Sequence, residues 1–319
     1  MLAPLPSMRD AGAPTVSVLI VSWNTRDLLA RCLDAFPPHC QDIVVVDNAS
    51  EDGSAEMVAA RFPWVTLVAE PRNLGFAGGV NRAASHAKGD LLLLLNSDAV
   101  GDATAVAALA TTLEHDVTCA AAGGLLIGDG DEPQHGFHVR RFPTLATWAV
   151  DLLLVDKLWP GNPATRRYLA ADIDLRGPGP IEVDQPAAAC LMVRRTAFEA
   201  VGGMDSGFHP AWFEDVDLCR RLKRGGWRIV AVPSARFRHQ GGVAMRRLGL
   251  ARFSAIWYRN LERYTLKHHG PLSLLVLKGL ILVGMALRAG YSLVRATPRD
   301  ASAYLRVAWQ SVTSWPRLR

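Results

Sequence analysis

The fold is decided by a series that begins with Val16-Ser-Val-Leu-Ile-Val21, a short apolar run rich in β-branched residues. Such a run is typical of a buried strand. Further apolar runs alternate with segments of helical spacing; they are Ile43-Val-Val-Val46, Val65-Thr-Leu-Val68 and Leu91-Leu-Leu-Leu-Leu95. Strands and helices that alternate at this spacing predict a doubly wound α/β sheet.

Polar clusters follow the carboxyl ends of these strands, which is where sheets of this kind bind ligands. The clusters are Trp23-Asn24, Asp47-Asn48, the glycine-rich loop Asn73–Gly79, and Asn96-Ser97-Asp98. A single cluster would be ordinary loop chemistry, whereas four in succession indicate a ligand site. A carboxylate at a strand end near a phosphate-binding loop can also hold a hard divalent cation, so Asp98 is a candidate metal ligand.

Two later motifs contain candidate catalytic and metal-binding groups. Glu214, Asp215 and Asp217 precede a helical run, where the helix dipole favours one or two acids. The adjacent pair Glu214-Asp215 follows two aromatic residues and also suits a general base in a shielded pocket. His239 ends an extended run just before two glycines. A lone histidine is usually structural, but one at a strand end can bind a metal.

Composition limits the classes of protein to consider. Half of the 319 residues are hydrophobic and the formal charge is +5, which suits anionic partners. The odd number of cysteines and the lack of a Cys-x-x-Cys pair predict reduced thiols in a cytosolic setting. The cysteines are Cys32, Cys40, Cys119, Cys190 and Cys219. The basic residues cluster around apolar helices, which favours a membrane surface over nucleic acid.

The chain divides into three parts by composition. Residues 1–14 carry no secretory signal pattern and are predicted to be a disordered lead-in. Residues 15–247 form the α/β domain, in which 128–184 are expected to be an irregular loop region over the site. Residues 248–319 are expected to be helical and membrane-interfacial.

The C-terminal part contains an apolar stretch, Leu272–Leu287, with basic residues on both sides. It is short for a membrane span and contains Lys278. We therefore expect an interfacial or re-entrant helix at the cytoplasmic face of the cell membrane. The alternative is a buried helix of a cytoplasmic protein.

The ordered series of motifs resembles the family-2 inverting glycosyltransferases of the A-type fold over about residues 15 to 245. The motifs include Val-Val-Val-Asp-Asn-Ala-Ser, Asn-Leu-Gly-Phe-Ala-Gly-Gly, Leu-Leu-Leu-Asn-Ser-Asp, Phe-Glu-Asp-Val-Asp and His-Gln-Gly-Gly. The resemblance implies a Rossmann-like, mixed and mainly parallel sheet flanked by helices, here with a helical C-terminal appendage.

The resemblance also implies a role for each matching residue. Asp47 would bind the nucleobase, and the loop that begins at Asn73 would line the diphosphate and sugar. The residues expected to bind the nucleotide sugar are Ser22, Trp23, Asn24, Asp47, Asn48, Arg72, Asn73, Gly75, Gly78, Asn81, Asn96 and Ser97. Asp98 and His239 would hold Mg²⁺ or Mn²⁺; Asn96 stands where many members have aspartate, so metal binding rests more heavily on this pair. Asp215 would be the catalytic base, and Glu214 would shape the acceptor site.

The implied reaction is one in-line displacement that inverts the anomeric carbon. The pattern looks most like bacterial rhamnosyltransferases that move L-rhamnose from dTDP-rhamnose to a lipid-linked or glycan acceptor in cell-wall or surface polysaccharide synthesis. Galactofuranosyl, glucosyl or N-acetylglucosaminyl transfer, also from a UDP-sugar, and non-catalytic nucleotide-sugar binding remain as alternatives. A dinucleotide-binding oxidoreductase is disfavoured, because no glycine lies between Ser22 and Asp27. The sequence does not indicate an oligomeric state.

Overall fold

The computed structural model describes residues 14–36, 38, 42–128, 130–177, 179–241 and 248–318. The strands in this part of the chain are β1 Val16–Ser22, β2 Asp42–Asp47, β3 Thr66–Ala69, β4 Leu91–Asn96, β5 Ala99–Val100, β6 Cys119–Ile127, β7 Val139–Arg140, β8 Ile181–Glu182, β9 Gln185–Pro186, β10 Cys190–Arg194 and β11 Arg228–His239. The predicted lead-in falls almost wholly outside the described residues.

Helices lie between and after these strands. They are α1 Arg26–Asp34, α2 Ser54–Arg61, α3 Gly75–His86, α4 Ala103–His115, α5 Leu145–Leu152, α6 Val155–Leu158, α7 Pro163–Tyr168, α8 Arg195–Ala200, α9 Glu214–Arg224, α10 Gly249–Val294 and α11 Pro298–Thr313. A short 3₁₀ turn occupies Ser206–Phe208.

One mixed sheet organises the described residues. Its strand order is β3-β2-β1-β4-β10-β6-β11-β5, with β8 beside β11, while β7 and β9 form a separate pair. The neighbours β3-β2-β1-β4 run parallel, as do β6 and β11, whereas β10 is antiparallel to both β4 and β6. The predicted mixed, mainly parallel sheet flanked by helices is confirmed.

Both faces of the sheet are covered, which explains the unbroken apolar strands. All five leucines of β4 are at most 1% exposed. Along β1, Val18 and Ile20 pack with α1, α2 and α4 on one face, while Leu19 packs with α3, α8 and α9 on the other. Four of the five cysteines are free and buried in this core; Cys40 lies outside the described residues.

The expectation that residues 128–184 are irregular was wrong in part, because α5, α6 and α7 lie there. The caps of two of them are local: Thr144 and Thr147 form a capping box for α5, and Asn162 caps α7 ahead of Pro163. These helices have only four to eight residues each, which is too short for a sustained apolar period to appear in the sequence.

The long helix α10 is packed against the α/β domain on one side. It kinks at Gly270, whose φ is 85°, and Pro271 follows. Leu274, Leu277 and Ile281 belong to a third core cluster that also contains Trp148 of α5 and Phe213 just before α9. The C-terminal helices therefore share a core with residues that precede the domain boundary predicted between 247 and 248. Residues 242–247, just before that boundary, lie outside the described part of the chain.

Candidate active site

A cavity of about 1010 Å³ opens at the carboxyl ends of β1, β2 and β4. Helices α9, α10 and α11 contribute its other walls. Its lining residues include Val21, Trp23, Asn48, Asn73, Gly75, Asn96, Ser97, Asp98, Phe137, Arg140, Trp212, Glu214, Asp215, His239, Arg252, Phe253, Trp257 and Arg259. Ten of the sixteen sequence-predicted site residues therefore line one cavity.

At one end of the cavity the end of β11 meets the end of β4. His239 Nε2 lies 3.3 Å from Asp98 Oδ1 and 3.4 Å from the Asn96 side-chain amide nitrogen. Asp98 is 9% exposed and His239 only 2% exposed. The two predicted metal ligands, Asp98 and His239, are far apart in the sequence. They are adjacent in the fold because β11 pairs with β5 at His239 and Ala99.

The side chain of Gln134 fixes the orientation of His239. Gln134 Nε2 donates to the His239 backbone carbonyl at 2.6 Å, so its Oε1 must be the atom that faces His239 Nδ1 at 2.9 Å. Nδ1 is then the protonated nitrogen, and the lone pair of a neutral ring is on Nε2, towards Asp98. Phe137 stacks on the same ring at 5.3 Å between centroids.

This end of the cavity fits a divalent cation in part. A carboxylate oxygen and an imidazole lone pair converge there, and the glutamine is the outer partner that metal-binding histidines commonly have. No group of three or more His, Cys, Asp or Glu side chains suited to a metal occurs within the described residues. A cation at Asp98 and His239 would therefore need further oxygen ligands, which a diphosphate can supply.

The other acidic group lies at the start of α9. Trp212 and Phe213 both have a left-handed backbone, with φ of 75° and 74°. Bulky residues adopt this conformation only where surrounding contacts impose it, which is common at functional sites. Here the contacts are aromatic: Trp257 of α10 lies 5.8 Å from Trp212 and 5.0 Å from Phe213 between ring centroids. Helix α10 thus helps to set the backbone from which Glu214 and Asp215 project.

Glu214 and Asp215 occupy different environments. Asp215 is partly exposed; its Oδ1 accepts from the Val216 backbone at 2.8 Å and its Oδ2 lies 3.4 Å from Gln185 Nε2. Glu214 is 6% exposed and its Oε2 has no hydrogen-bond partner among the described residues. Burial, and then the charge of Asp215, raise the pKa of Glu214 well above its usual range. The environment of Glu214 therefore favours its neutral form, whereas both oxygens of Asp215 have hydrogen-bond donors beside them.

The predicted nucleobase region lies where β1 and β2 end. Asp47 is 3% exposed; its Oδ2 accepts from the Ser50 backbone at 2.9 Å, and its buried Oδ1 accepts nothing within the described structure. Asn24 has φ of 53° and its Oδ1 accepts from the Glu51 backbone. Ser22 is fully buried, with Oγ 3.0 Å from the Thr25 hydroxyl, and does not line the described cavity.

Asn48 connects this region to the glycine-rich loop. Its Oδ1 accepts from the Leu74 backbone and its Nδ2 donates to the Gly75 carbonyl, both at 3.0 Å. Gly75 has φ of 74°, and a Cβ there would lie 2.8 Å from the Pro210 carbonyl, so only glycine fits. The loop that begins at Asn73 is therefore held between β2 and the segment that precedes Trp212.

Three of the residues predicted to bind the donor near this loop lie outside the cavity lining. Arg72 is exposed, and Gly78 sits in α3, where an added Cβ would lie 3.0 Å from Leu74 Cβ. Asn81 exchanges two hydrogen bonds with the Met204 backbone, at 2.7 and 2.9 Å, so its amide joins α3 to the 201–205 turn. The family resemblance implied a donor-binding role for these residues, and the sequence could not show which helix face they occupy.

Several cavity residues were not found from the sequence. Arg140 lines the cavity and comes from the segment 128–184 that was expected to be irregular; its guanidinium lies 5.8 Å from the Phe137 ring. Gln134, from the same segment, and Gln185, just after it, contact the cavity residues His239 and Asp215. Trp257 belongs to α10, for which the sequence predicted a membrane-interfacial helix, with a buried helix as the alternative. No local motif marks these positions, because each reaches the site through contacts that are distant in sequence.

The comparisons with known proteins agree with this architecture. Residues 17–173 match the sequence model of Glycosyl transferase family 2. GalNAc-T7 with UDP, GalNAc and Mn²⁺ superposes with a TM-score of 0.56 at 16% identity, covering 96% of this chain and 59% of that one. The fold is the A-type glycosyltransferase fold.

Two curated relatives are similar in sequence. The chain is 31% identical over 208 residues to the N-acetylglucosaminyl-diphospho-decaprenol L-rhamnosyltransferase of Mycobacterium tuberculosis, over 62% of this chain and 66% of that protein. It is 30% identical over 110 residues to the rhamnosyltransferase WbbL of Escherichia coli, over 34% of this chain and 37% of that protein. The chain thus spans just under two thirds of the first relative's length. Residues 17–173 form a glycosyl transferase family 2 domain.

Proposed function

We propose that the protein is an inverting, cation-dependent glycosyltransferase that uses a nucleotide sugar. One observation carries the proposal: the carboxylate of Asp215 and the pair Asp98–His239 face the same cavity. The first group can take a proton from an acceptor hydroxyl, and the second can help to hold a leaving diphosphate. A single displacement needs both functions in one place.

In the proposed mechanism the acceptor hydroxyl lies against Asp215. Asp215 Oδ2 accepts the hydroxyl proton while the oxygen bonds to the anomeric carbon of the donor. The bond from that carbon to the diphosphate breaks, and the nucleoside diphosphate leaves with the bonding electron pair. The amide of Gln185 steadies the same carboxylate at 3.4 Å, and protonated Glu214 is available to donate to an acceptor oxygen.

Asp98 and His239 would hold the Mg²⁺ or Mn²⁺ ion, together with oxygens of the donor diphosphate. A bound divalent cation supplies positive charge that stabilises the departing diphosphate. Gln134 accepts a hydrogen bond from His239 Nδ1 and so directs Nε2 to that position. The solved neighbour with UDP and Mn²⁺ supports this choice of ion. The unsatisfied Oδ1 of Asp47 is suited to accept an N–H group of the donor's nucleobase.

For the donor we propose dTDP-L-rhamnose, and for the acceptor a sugar linked through diphosphate to a polyprenol. The names of the mycobacterial and Escherichia coli relatives support rhamnosyl transfer, and the former supports the acceptor. UDP-linked galactofuranose, glucose or N-acetylglucosamine is the alternative donor within the same reaction.

We also propose that α10 and α11 hold the protein on a membrane surface. The exposed stripe of α10 is uncharged and consists of Leu272, Leu275, Val276, Gly279, Leu282, Val283, Ala286, Leu287, Gly290, Tyr291, Leu293 and Val294. An exposed apolar face of this length on a helix of about 36 Å is typical of an interaction with lipid. Trp309 and Trp315, 69% and 51% exposed, suit the headgroup zone.

The two charges in the apolar part of α10 point into the protein. Lys278 lies 3.2 Å from Glu262 and donates to backbone carbonyls at Ser311 and Ser314. Arg288 donates to the Leu152 and Asp151 carbonyls. The positive charge of Lys278, which argued against a membrane span in the sequence, is thus paired with Glu262 between α10 and α11. One face of α10 is packed on the protein, which supports an interfacial position.

The donor can be identified by binding. Purified full-length protein with Mg²⁺ is heated in the presence of dTDP-rhamnose and, separately, UDP-glucose, UDP-N-acetylglucosamine and UDP-galactofuranose. The true donor should raise the melting temperature most, because ligands that bind only the native state stabilise it. No shift with any nucleotide sugar would contradict the proposed function.

A further inference from the structure

The cavity has a second cationic region that the proposed reaction does not use. Arg252 and Arg259 of α10 both line the cavity. They are seven residues apart, which places them on the same face of the helix about 10 Å apart along its axis. Neither guanidinium forms an ion pair with a carboxylate of the described residues. Arg259 donates only to backbone and amide oxygens, at His209 and Asn260.

These two arginines are distinct from the cation site. The pair Asp98–His239 has its own arginine in Arg140, which contacts the Phe137 ring that stacks on His239. Arg252 and Arg259 instead flank aromatic side chains at the Trp212 end. Phe253 lies 4.8 Å and Trp257 5.8 Å from the Trp212 ring, and Trp212 comes three residues before Asp215.

The environment of Arg259 also suits an anion. Partial burial lowers the pKa of Arg259 from its usual value, and no carboxylate of the described residues pairs with it, although the residue as a whole remains exposed. Its guanidinium therefore stays accessible to a ligand in the cavity. Its planar donors match phosphate oxygens in pairs.

We infer that Arg252 and Arg259 bind the diphosphate of the acceptor, with Trp212, Phe253 and Trp257 against the apolar chain attached to it. The ligand is thus a diphosphate that carries an apolar chain, and the inference rests on the proposed lipid-linked acceptor. The same helix continues past Gly270 into the exposed apolar stripe. A lipid chain that leaves the arginines can therefore follow α10 to the membrane surface, while its sugar reaches Asp215.

The test is a binding measurement that needs no sugar transfer. Geranyl diphosphate, geraniol and inorganic pyrophosphate are titrated into the full-length protein by calorimetry, with a chelator present so that a cation at Asp98 does not contribute. The wild type should bind geranyl diphosphate more tightly than either of the other two. Arg252→Gln and Arg259→Gln should each weaken geranyl diphosphate about tenfold, as expected for a lost charge-assisted hydrogen bond, and leave geraniol unchanged.

Matched variants separate the subsite from general effects. Arg306→Gln removes an exposed arginine of α11 that does not line the cavity and should bind all three ligands like the wild type. Trp257→Phe should weaken geraniol and geranyl diphosphate together. Arg259→Lys keeps the charge but loses the paired donors, and it covers the case in which Arg259→Gln unfolds; it should weaken geranyl diphosphate and leave geraniol unchanged.

Wild-type affinity for geranyl diphosphate in Arg252→Gln and Arg259→Gln would overturn the subsite. Equal wild-type affinity for geraniol and geranyl diphosphate would do the same. Because no donor is present, these outcomes differ from a failure of the proposed function, which would show as no transfer from any nucleotide sugar despite intact binding.

Discussion

His268 Nε2 of α10 lies 2.7 Å from Asp217 Oδ1 of α9, and both side chains are almost fully buried. Arg221 and Lys267 approach the same carboxylate, each at 2.7 Å. The helix that starts with Glu214 and Asp215 is therefore connected to the C-terminal helices by a buried charge cluster. The first prediction concerns this connection.

Asp217→Asn should destabilise the protein by about 3 kcal/mol, because it leaves three basic groups without their carboxylate in a buried place. Chemical denaturation at neutral pH measures this change. Asp27→Asn, which removes an exposed acid of α1, is the matched control and should alter stability by less than about 0.5 kcal/mol. Equal stability of Asp217→Asn and the wild type would show that the cluster contributes nothing.

The same carboxylate predicts a pH dependence. Burial alone would raise the pKa of Asp217, but the hydrogen bond from His268 and the charges of Arg221 and Lys267 lower it to about 2. A lowered folded-state pKa gives stability that is present above pH 4 and is lost as the pH falls towards 2. We expect about 2 kcal/mol of the wild-type stability to disappear over that range and the loss to be smaller in Asp217→Asn. Parallel pH profiles for the two proteins would contradict this.

The second prediction separates the two acids at the start of α9. Asp215→Asn should lower kcat about a thousandfold, since it removes the group that accepts the proton. Glu214→Gln should keep kcat within about tenfold of wild type, because an amide resembles the protonated acid in size and can also donate. Donor affinity should be unchanged in both variants. Normal turnover by Asp215→Asn with an inactive Glu214→Gln would move the base to Glu214.

The third prediction concerns the cation. Chelation should stop transfer, and Mg²⁺ or Mn²⁺ should restore it. Asp98→Asn and His239→Ala should weaken Mn²⁺ binding in the presence of the nucleotide, as read by Mn²⁺ electron paramagnetic resonance. Gln134→Ala should weaken it about 10- to 100-fold through the loss of the hydrogen bond to Nδ1. His135→Ala, at an exposed neighbouring histidine, is the control. Full activity in excess chelator would remove the cation from the mechanism.

The fourth prediction concerns the membrane face. The double change Leu275→Glu and Val283→Glu should abolish sedimentation with anionic vesicles, because it puts two charges on the uncharged stripe of α10. Thr111→Glu adds charge on the exposed side of α4 and should sediment like the wild type. High salt should weaken wild-type binding without abolishing it, as each nearby basic residue adds about 1 kcal/mol. Wild-type protein that stays in the supernatant at low salt would refute the membrane assignment.

The sequence predicted the features that depend on residues close together in the chain. The apolar runs of β1, β2 and β4 and the polar residues at their ends needed only the rule that parallel strands place their carboxyl ends together. Asp98 was found in this way, whereas Asp215 was found from the acidic pair that precedes a helical run and from the family resemblance. The pairing of Gln134 with His239 was not, since it joins residues 105 positions apart through loops without a period.

The sequence predicted that the C-terminal part is helical and apolar, but it did not show which side of α10 faces the protein. Lys278 in an apolar segment looked like a charge that a membrane must accommodate. Its partner Glu262 lies 16 residues earlier on the same helix, beyond the kink at Gly270. Only the three-dimensional structure shows that the kink brings the two together and leaves the outer stripe uncharged.

The most direct test of the proposed inverting mechanism is the stereochemistry of sugar transfer. Full-length protein is incubated with Mg²⁺, dTDP-rhamnose and N-acetylglucosamine linked through diphosphate to a short prenol, and the product is examined by nuclear magnetic resonance. We expect a rhamnoside whose anomeric configuration is opposite to that of the donor, formed by the wild type and not by Asp215→Asn. A product with retained configuration, or one formed equally well by Asp215→Asn, would contradict it.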